Sequence, residues 1–233
     1  MFPLQGVYIW FIIFVVIFSI YSCFWRRSKY STSNIYKMVK FIFFDTETTG
    51  LPRDRYKSSL VGPGNWPDIV SICWMVFEGH TLIKKVYHII KPEGWKIPLE
   101  ASKIHGITDE IAEAKGVPLQ DVMEEFRADI EDCYRIIAHN LEFDKNVVLG
   151  AYKWHLGIDP LAFWPVKAEF CTAQVSKWEL KLPSRYPKSA DPYKFPSLGE
   201  LYKDTFRKDP PDGAHNAERD VDVLQSIVWS RWY

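Results

Sequence analysis

The order of apolar and polar positions divides the chain into a long apolar opening segment and a mixed succession of strands and helices. Residues 7–25, VYIWFIIFVVIFSIYSCFW, run 19 positions without a charge, about the length of a helix that spans a bilayer. Trp10, Tyr21 and Trp25 stand near its ends, where an aromatic belt meets the headgroups. The preceding MFPLQG lacks the basic residues of a cleaved secretory signal. Residues 1–25 therefore read as a single-pass transmembrane anchor. Residues 26–38 form a basic, polar linker that opens with RRSK, and the positive-inside rule then puts residues 39–233 in the cytosol.

From Phe41 the pattern is that of an α/β domain. KFIFFD is a continuous apolar run, as in a strand buried on both faces. DIVSICWMVFEG and HTLIKKVYHIIKP read as two strands joined in a hairpin at Gly79. PLEASKIHGI and PLQDVMEEFRADIEDC read as helices, the second with Leu119, Val122, Met123, Phe126 and Ile130 at helical spacing. YRIIAHN is a further strand, and FDKNVVLGAYKWHLG a helix closed by Gly157. SLGELYKDTF and NAERDVDVLQSIVWS are the closing helices, with Ala217, Val221, Leu224 and Val228 in one stripe on the last. Two long loops rich in proline, residues 52–67 and 178–196, separate these elements.

Charge changes the picture of possible partners. The chain holds 29 basic and 29 acidic residues, but five of the basic ones fall in residues 1–40, which contain no acid. The remainder is net acidic, so bulk attraction to nucleic acid is excluded unless cations offset the acids. Cys73, Cys133 and Cys171 have no metal-binding spacing. No protein partner is legible. The loop at 177–195 interleaves Lys177, Lys181, Arg185, Lys188 and Lys194 with Trp178, Tyr186, Tyr193 and Phe195. Such a loop suits single-stranded nucleic acid, or it is a solvated surface.

Three short stretches carry candidate chemistry. In DTETTG, Asp45 and Glu47 close the apolar strand. Residues two apart in a strand share a face, so two like charges crowd one site, which suits a hard divalent cation. In HNLEFD, Asp144 opens a helix, where an acid also interacts with the helix dipole. His139 taken alone reads as a hydrogen-bonded histidine at the edge of the core. In HNAERD, Asp220 lies at the buried edge of the apolar stripe, Asp222 faces solvent, and His215 precedes the helix.

In that order, DTETTG, HNLEFD and HNAERD resemble the three motifs of the DnaQ-like exonuclease family with the DEDDh signature. IHGITDE, residues 104–110, resembles the segment that the family carries between the first two. The resemblance implies a ribonuclease H-like mixed sheet flanked by helices over residues 39–233. It implies a 3′→5′ exonuclease acting on nucleic acid 3′ ends, single-stranded DNA favoured, and releasing nucleoside 5′-monophosphates. Two ions, Mg²⁺ or Mn²⁺, would be held by Asp45, Glu47, Asp144 and Asp220, with His215 as general base. Thr46, Thr48, Thr49, Gly50 and Leu51 of the first motif, and His139, Asn140 and Phe143 of the second, would contact substrate. An RNA-trimming enzyme similar to oligoribonuclease and a non-catalytic nucleic-acid-binding module on the same fold are the alternatives.

Overall fold

The computed structural model describes residues 39–164, 168–184, 191–213 and 215–233. The anchor and linker read from residues 1–38 lie outside the described residues. No helix among the described residues is long and apolar enough to cross a membrane.

Five strands form one mixed sheet: β1 (Lys40–Thr48), β2 (Ile69–Glu78), β3 (Thr81–Ile89), β4 (Arg135–Ala138) and β5 (Glu169–Cys171), in the order β3-β2-β1-β4-β5. β2 lies antiparallel between β1 and β3, while β4 runs parallel to both β1 and β5. β2 and β3 meet through a two-residue turn, Gly79-His80, and Gly79 takes the positive φ of 59° that such a tight hairpin requires.

The helices are α1 (Leu99–His105), α2 (Asp109–Lys115), α3 (Leu119–Glu131), α4 (Leu141–Gly150), α5 (Thr172–Leu180), α6 (Leu198–Phe206) and α7 (Ala217–Arg231). A π-helical turn, Ala151–His155, extends α4 toward Gly157. β5, α2 and α5 are absent from the sequence-based expectation. β5 has only three residues, too few for a period, and α2 falls inside the IHGITDE segment. α5 runs to Leu180, so the second long loop begins at Lys181 and not at Trp178.

β1 is the central strand and is buried on both faces, as its composition predicts: Phe41, Ile42, Phe43 and Phe44 are at most 1% exposed. The pleat sorts them. Phe41 and Phe43 meet the Trp229 ring of α7, at 5.5 and 5.3 Å between centroids. Phe44 meets Phe126 of α3 at 5.5 Å. Continuing the alternation, Asp45 and Glu47 share the α7 face, and Thr46 shares the face of Ile42 and Phe44. That parity decides where each acid of the site can go.

Candidate active site

Asp45 and Glu47 project from the carboxyl end of β1, beyond the point where the parallel pair β1–β4 stops. Open α/β sheets place their ligand crevices outside the carboxyl ends of such strands. The β1–β2 register shifts between Glu47 and Thr48, a bulge that re-aims the strand end. On the α7 face these two carboxylates meet Asp220, and one oxygen from each of Asp45, Glu47 and Asp220 lies within 4.8 Å of the others. Asp220 gets there because Asn216 caps α7 by accepting from the Arg219 N–H at 3.1 Å. That cap puts Asp220 in the first turn of the helix.

Asp144 approaches from the other face. It sits in the first turn of α4, 3% exposed. Its Oδ1 accepts from the Thr46 N–H at 3.0 Å and from the Thr46 hydroxyl at 2.7 Å. Asp144 is outside the three-carboxylate cluster, but its charge still raises the Asp45 pKa. Thr46, predicted to contact substrate, spends both its donors on holding Asp144.

The electrostatics fit a cation. Burial pushes the Asp45 carboxyl well above the usual range, and Asp144, Asp220 and Glu47 push it further. Burial, then Asp220 and Asp144, raises Glu47 to about 8. Asp144 is raised by burial too, with its Thr46 hydrogen bonds opposing. Crowded, desolvated carboxylates take up protons in place of a missing positive charge, and hard oxygen donors are what Mg²⁺ or Mn²⁺ prefer. Asp45, Glu47 and Asp220 could hold such an ion.

Asp220 also has protein partners that repulsion among the acids alone does not predict. Arg219 Nη1 donates to its Oδ1 at 2.6 Å and the His215 N–H to its Oδ2 at 3.1 Å. Arg219 donates in turn to the Pro211 carbonyl. His215 has φ 62°, the left-handed region that a non-glycine residue adopts only at a cost. The bond to Asp220 fixes its backbone beside the cage, while its side chain is exposed.

The remaining predicted residues separate into two groups. Thr48 donates its hydroxyl to the Gly50 carbonyl at 2.8 Å. Thr49 pairs with Asp68 in both directions at 3.0 Å, by backbone and through its hydroxyl. These bonds build the turn in which Gly50 takes φ 153°, a conformation reserved for glycine, and leave Leu51 82% exposed. His139 lies elsewhere in role: its Nδ1 bonds the Thr172 hydroxyl at 2.9 Å and its Nε2 the Pro196 carbonyl at 3.0 Å. Both ring nitrogens are taken, and burial lowers its pKa. Asn140 starts α4 at φ 64°, and Phe143 packs on Trp66 at 5.8 Å. In the second loop, Lys177 is buried in α5, paired with Asp191, and lies over the Trp178 and Phe195 rings. Lys194 pairs with Glu200. Two of the loop's five cations are thus neutralised within the fold, while Arg185, Tyr186 and Lys188 lie outside the described residues.

One residue that sequence reasoning passed over is His105 of the IHGITDE segment. It is 8% exposed; burial lowers its pKa and the Thr48 backbone opposes that shift. Its Nδ1 accepts from the Ile107 N–H at 3.1 Å, within the same segment.

Thr46→Val keeps the volume and the backbone N–H but removes the shorter bond to Asp144. It is expected to cost about 1.5–3 kcal/mol in urea unfolding, the usual value of a hydrogen bond to a charged group. An unchanged unfolding midpoint would show that the hydroxyl does not hold Asp144.

Comparison with known proteins agrees with this fold. The Exonuclease (RNase T) family model matches residues 42–227. A curated relative, an uncharacterized exonuclease of Escherichia phage 186, is 31% identical over 112 residues, which is 48% of each chain. Among solved structures, E. coli Exonuclease I with a dT13 oligonucleotide aligns at TM-score 0.63 and 19% identity. The alignment covers 82% of this chain and 40% of that one. A zinc-bound complex of the same enzyme with single-stranded DNA aligns at TM-score 0.62 and 19% identity, over 84% of this chain and 41% of that one. The chain thus spans about half the length of the curated relative and two fifths of the structural neighbours. The family match runs from β1 into α7 and takes in Asp45, Glu47, Asp144, His215 and Asp220, so the chain belongs to the exonuclease family.

Proposed function

We propose that this chain is a membrane-tethered, Mg²⁺- or Mn²⁺-dependent 3′→5′ exonuclease. It removes nucleoside 5′-monophosphates from single-stranded nucleic acid, DNA favoured, with the catalytic domain facing the cytosol. The cluster of Asp45, Glu47 and Asp220 carries this reading, because phosphodiester hydrolysis needs charge relief on the phosphate and an activated water. The oligonucleotide complexes of Exonuclease I favour a single strand, and the apolar residues 7–25 favour the tether.

Bound between these carboxylates, a divalent cation would stabilise the charge that develops on the phosphate and assist ionisation of the attacking water. The chain's own residues do the rest. Asp45, on the central strand, is shared between Asp220 on one face and Asp144 on the other. Thr46 keeps Asp144 oriented, and Arg219 with the His215 N–H orients Asp220. His215, exposed and anchored by its backbone, takes the proton from the water and returns it to solvent. The turn at Thr48–Leu51 receives the terminal nucleotide, with Leu51 against its base.

The test is digestion of 5′-labelled oligonucleotides, DNA and RNA, single-stranded and duplex, by the full-length protein with Mg²⁺ or Mn²⁺. A ladder shortened from the 3′ end, fastest on single-stranded DNA, is expected. Faster loss of short RNA would favour the RNA-trimming alternative, and binding without cleavage the non-catalytic one. In the same preparation the protein should resist carbonate extraction from membranes. Recovery in the soluble fraction would remove the anchor.

A further inference from the structure

At the Thr49–Leu51 turn that follows β1, a cleft of about 490 Å³ opens, lined also by Trp66, Trp95 and Trp154 among others. Its volume is in the range of small-molecule sites, roughly 300–1,000 Å³. None of the cage acids lines it. We infer that this cleft is a second nucleotide subsite, which takes one unpaired base of the substrate strand close to the 3′ end. The inference rests on the exonuclease reading and extends the site from Thr49, Gly50 and Leu51 of the first motif to Trp66, Trp95 and Trp154.

The cleft is built and held. One wall is the loop of residues 52–67, which packs Leu60 and Trp66 against the core. It is also cross-bound by Asn65. The Asn65 side chain accepts from the Asp54 N–H at 2.9 Å and donates to the Asp54 and Lys57 carbonyls at 2.9 and 3.3 Å. Trp66 Nε1 donates to the Lys57 carbonyl at 2.8 Å. Across the cleft the loop is tied to α4 and its π-helical extension. The Ser59 N–H donates to Asn146 at 2.9 Å, Trp154 Nε1 to the Ser59 carbonyl at 2.7 Å, and Lys153 to the Leu60 carbonyl at 2.8 Å. At the base of this wall, the buried Ser59 hydroxyl has no hydrogen-bond partner among the described residues.

The lining has the chemistry of a base-binding surface. Three indoles line one cavity, and Leu51, 82% exposed, lines it with them. Flat aromatic faces beside exposed apolar groups are how proteins hold unpaired bases without reading their sequence. Arg53 lines the cleft and Arg55 lies over the Tyr56 ring; neither has an acidic partner among the described residues. Both are available to phosphates in an otherwise acidic domain. The cleft is also within reach of the cage. Gly50, at the mouth, is three residues beyond Glu47, at most roughly 10 Å along the chain. A strand whose scissile phosphate sits in the cage can therefore lay one of its last bases here.

Gly62 offers a clean substitution. Its backbone is outside the left-handed region, and a Cβ added there meets nothing within 4 Å. Gly62→Trp should fill the cleft without touching the cage, and Gly62→Ser should leave it open. Binding is measured by anisotropy with 5′-labelled single-stranded DNA and full-length protein in EDTA, so that cleavage plays no part. The oligonucleotides carry one abasic site at the first, second or third position from the 3′ end. In the wild type, one of these positions should weaken binding about tenfold, the scale of one stacked base. Gly62→Trp should lose the same tenfold on intact DNA, lose nothing further when that position is abasic, and keep the wild-type melting temperature. Gly62→Ser should bind like wild type. Equal affinity for all oligonucleotides, losses that simply add, or no binding at all would overturn the subsite. If instead the coupling is present but metal releases no nucleotide, the subsite stands and the exonuclease reading fails.

Discussion

Asp45→Ala should reduce turnover by roughly three orders of magnitude or more, while single-stranded DNA still binds in the absence of metal. Removing one preorganised electrostatic group from an active site costs about 10²–10³-fold. Asp45 also links both halves of this one, being the carboxylate on which Asp144, Asp220 and Glu47 all act. His215→Ala is the informative contrast. A general base contributes about 10²–10⁴-fold to the rate and little to binding, so kcat should fall with KM and metal affinity nearly unchanged. Single-turnover kinetics, with metal binding followed by calorimetry, separate the two. An Asp45→Ala protein that keeps wild-type turnover would remove Asp45 from the cage. Parallel losses of affinity and rate in His215→Ala would make that histidine structural.

The second large effect is on stability and reverses with metal. Glu47 has a folded-state pKa of about 8 against an ordinary 4.5, and Asp45 and Asp144 are raised as well. The folded protein therefore binds more protons than the unfolded chain between about pH 4.5 and 8. In EDTA, the contribution of these groups is fully present below about pH 4 and is lost as the pH rises through 8. Glu47 alone accounts for on the order of 4 kcal/mol across that window, or roughly 10 °C in melting temperature for a domain of this size. A cation bound only to the folded state adds roughly 2.7 kcal/mol at a hundredfold excess over Kd, and more as the acids ionise. Mg²⁺ or Mn²⁺ should therefore raise the melting temperature most near pH 8 and least near pH 5. A metal shift independent of pH, or a chelated protein most stable at pH 8, would contradict the crowded cage. Asp220→Asn does not belong with the relief of repulsion. It leaves Arg219, held at 2.6 Å in a largely enclosed ion pair, without its charge partner. A net destabilisation of about 1–3 kcal/mol in EDTA is expected for that variant.

Much of the site was legible because its requirements are local. A strand buried on both faces must be continuously apolar, and KFIFF shows it. Asp45 and Glu47 two positions apart had to share a face, and the position of Asp220 at the edge of the Ala217–Val228 stripe followed from the helical period. The family motifs depend on these short-range spacings, so the chain announced them without a structure. By contrast, three-residue β5 is too short for a periodic signal, and it exists because β4 offers it a parallel partner. Lys177 looked like a loop cation, because nothing in its neighbourhood along the chain shows that Asp191 folds back to neutralise it.

The sequence by itself therefore determined the exonuclease family and its candidate acids: on which kinds of element they stand, and in which order. The tertiary structure decided how they divide. Asp220 joins Asp45 and Glu47 on the α7 face, whereas Asp144 is drawn to Thr46 on the other. Only the packing of α4 and α7 against opposite sides of one pleated strand sets that partition. Tertiary structure alone also closed a cleft between the 52–67 loop and the end of α4. Those contacts join segments up to 95 residues apart, as in Trp154 to Ser59, and no local pattern of residue types encodes a partner at that distance.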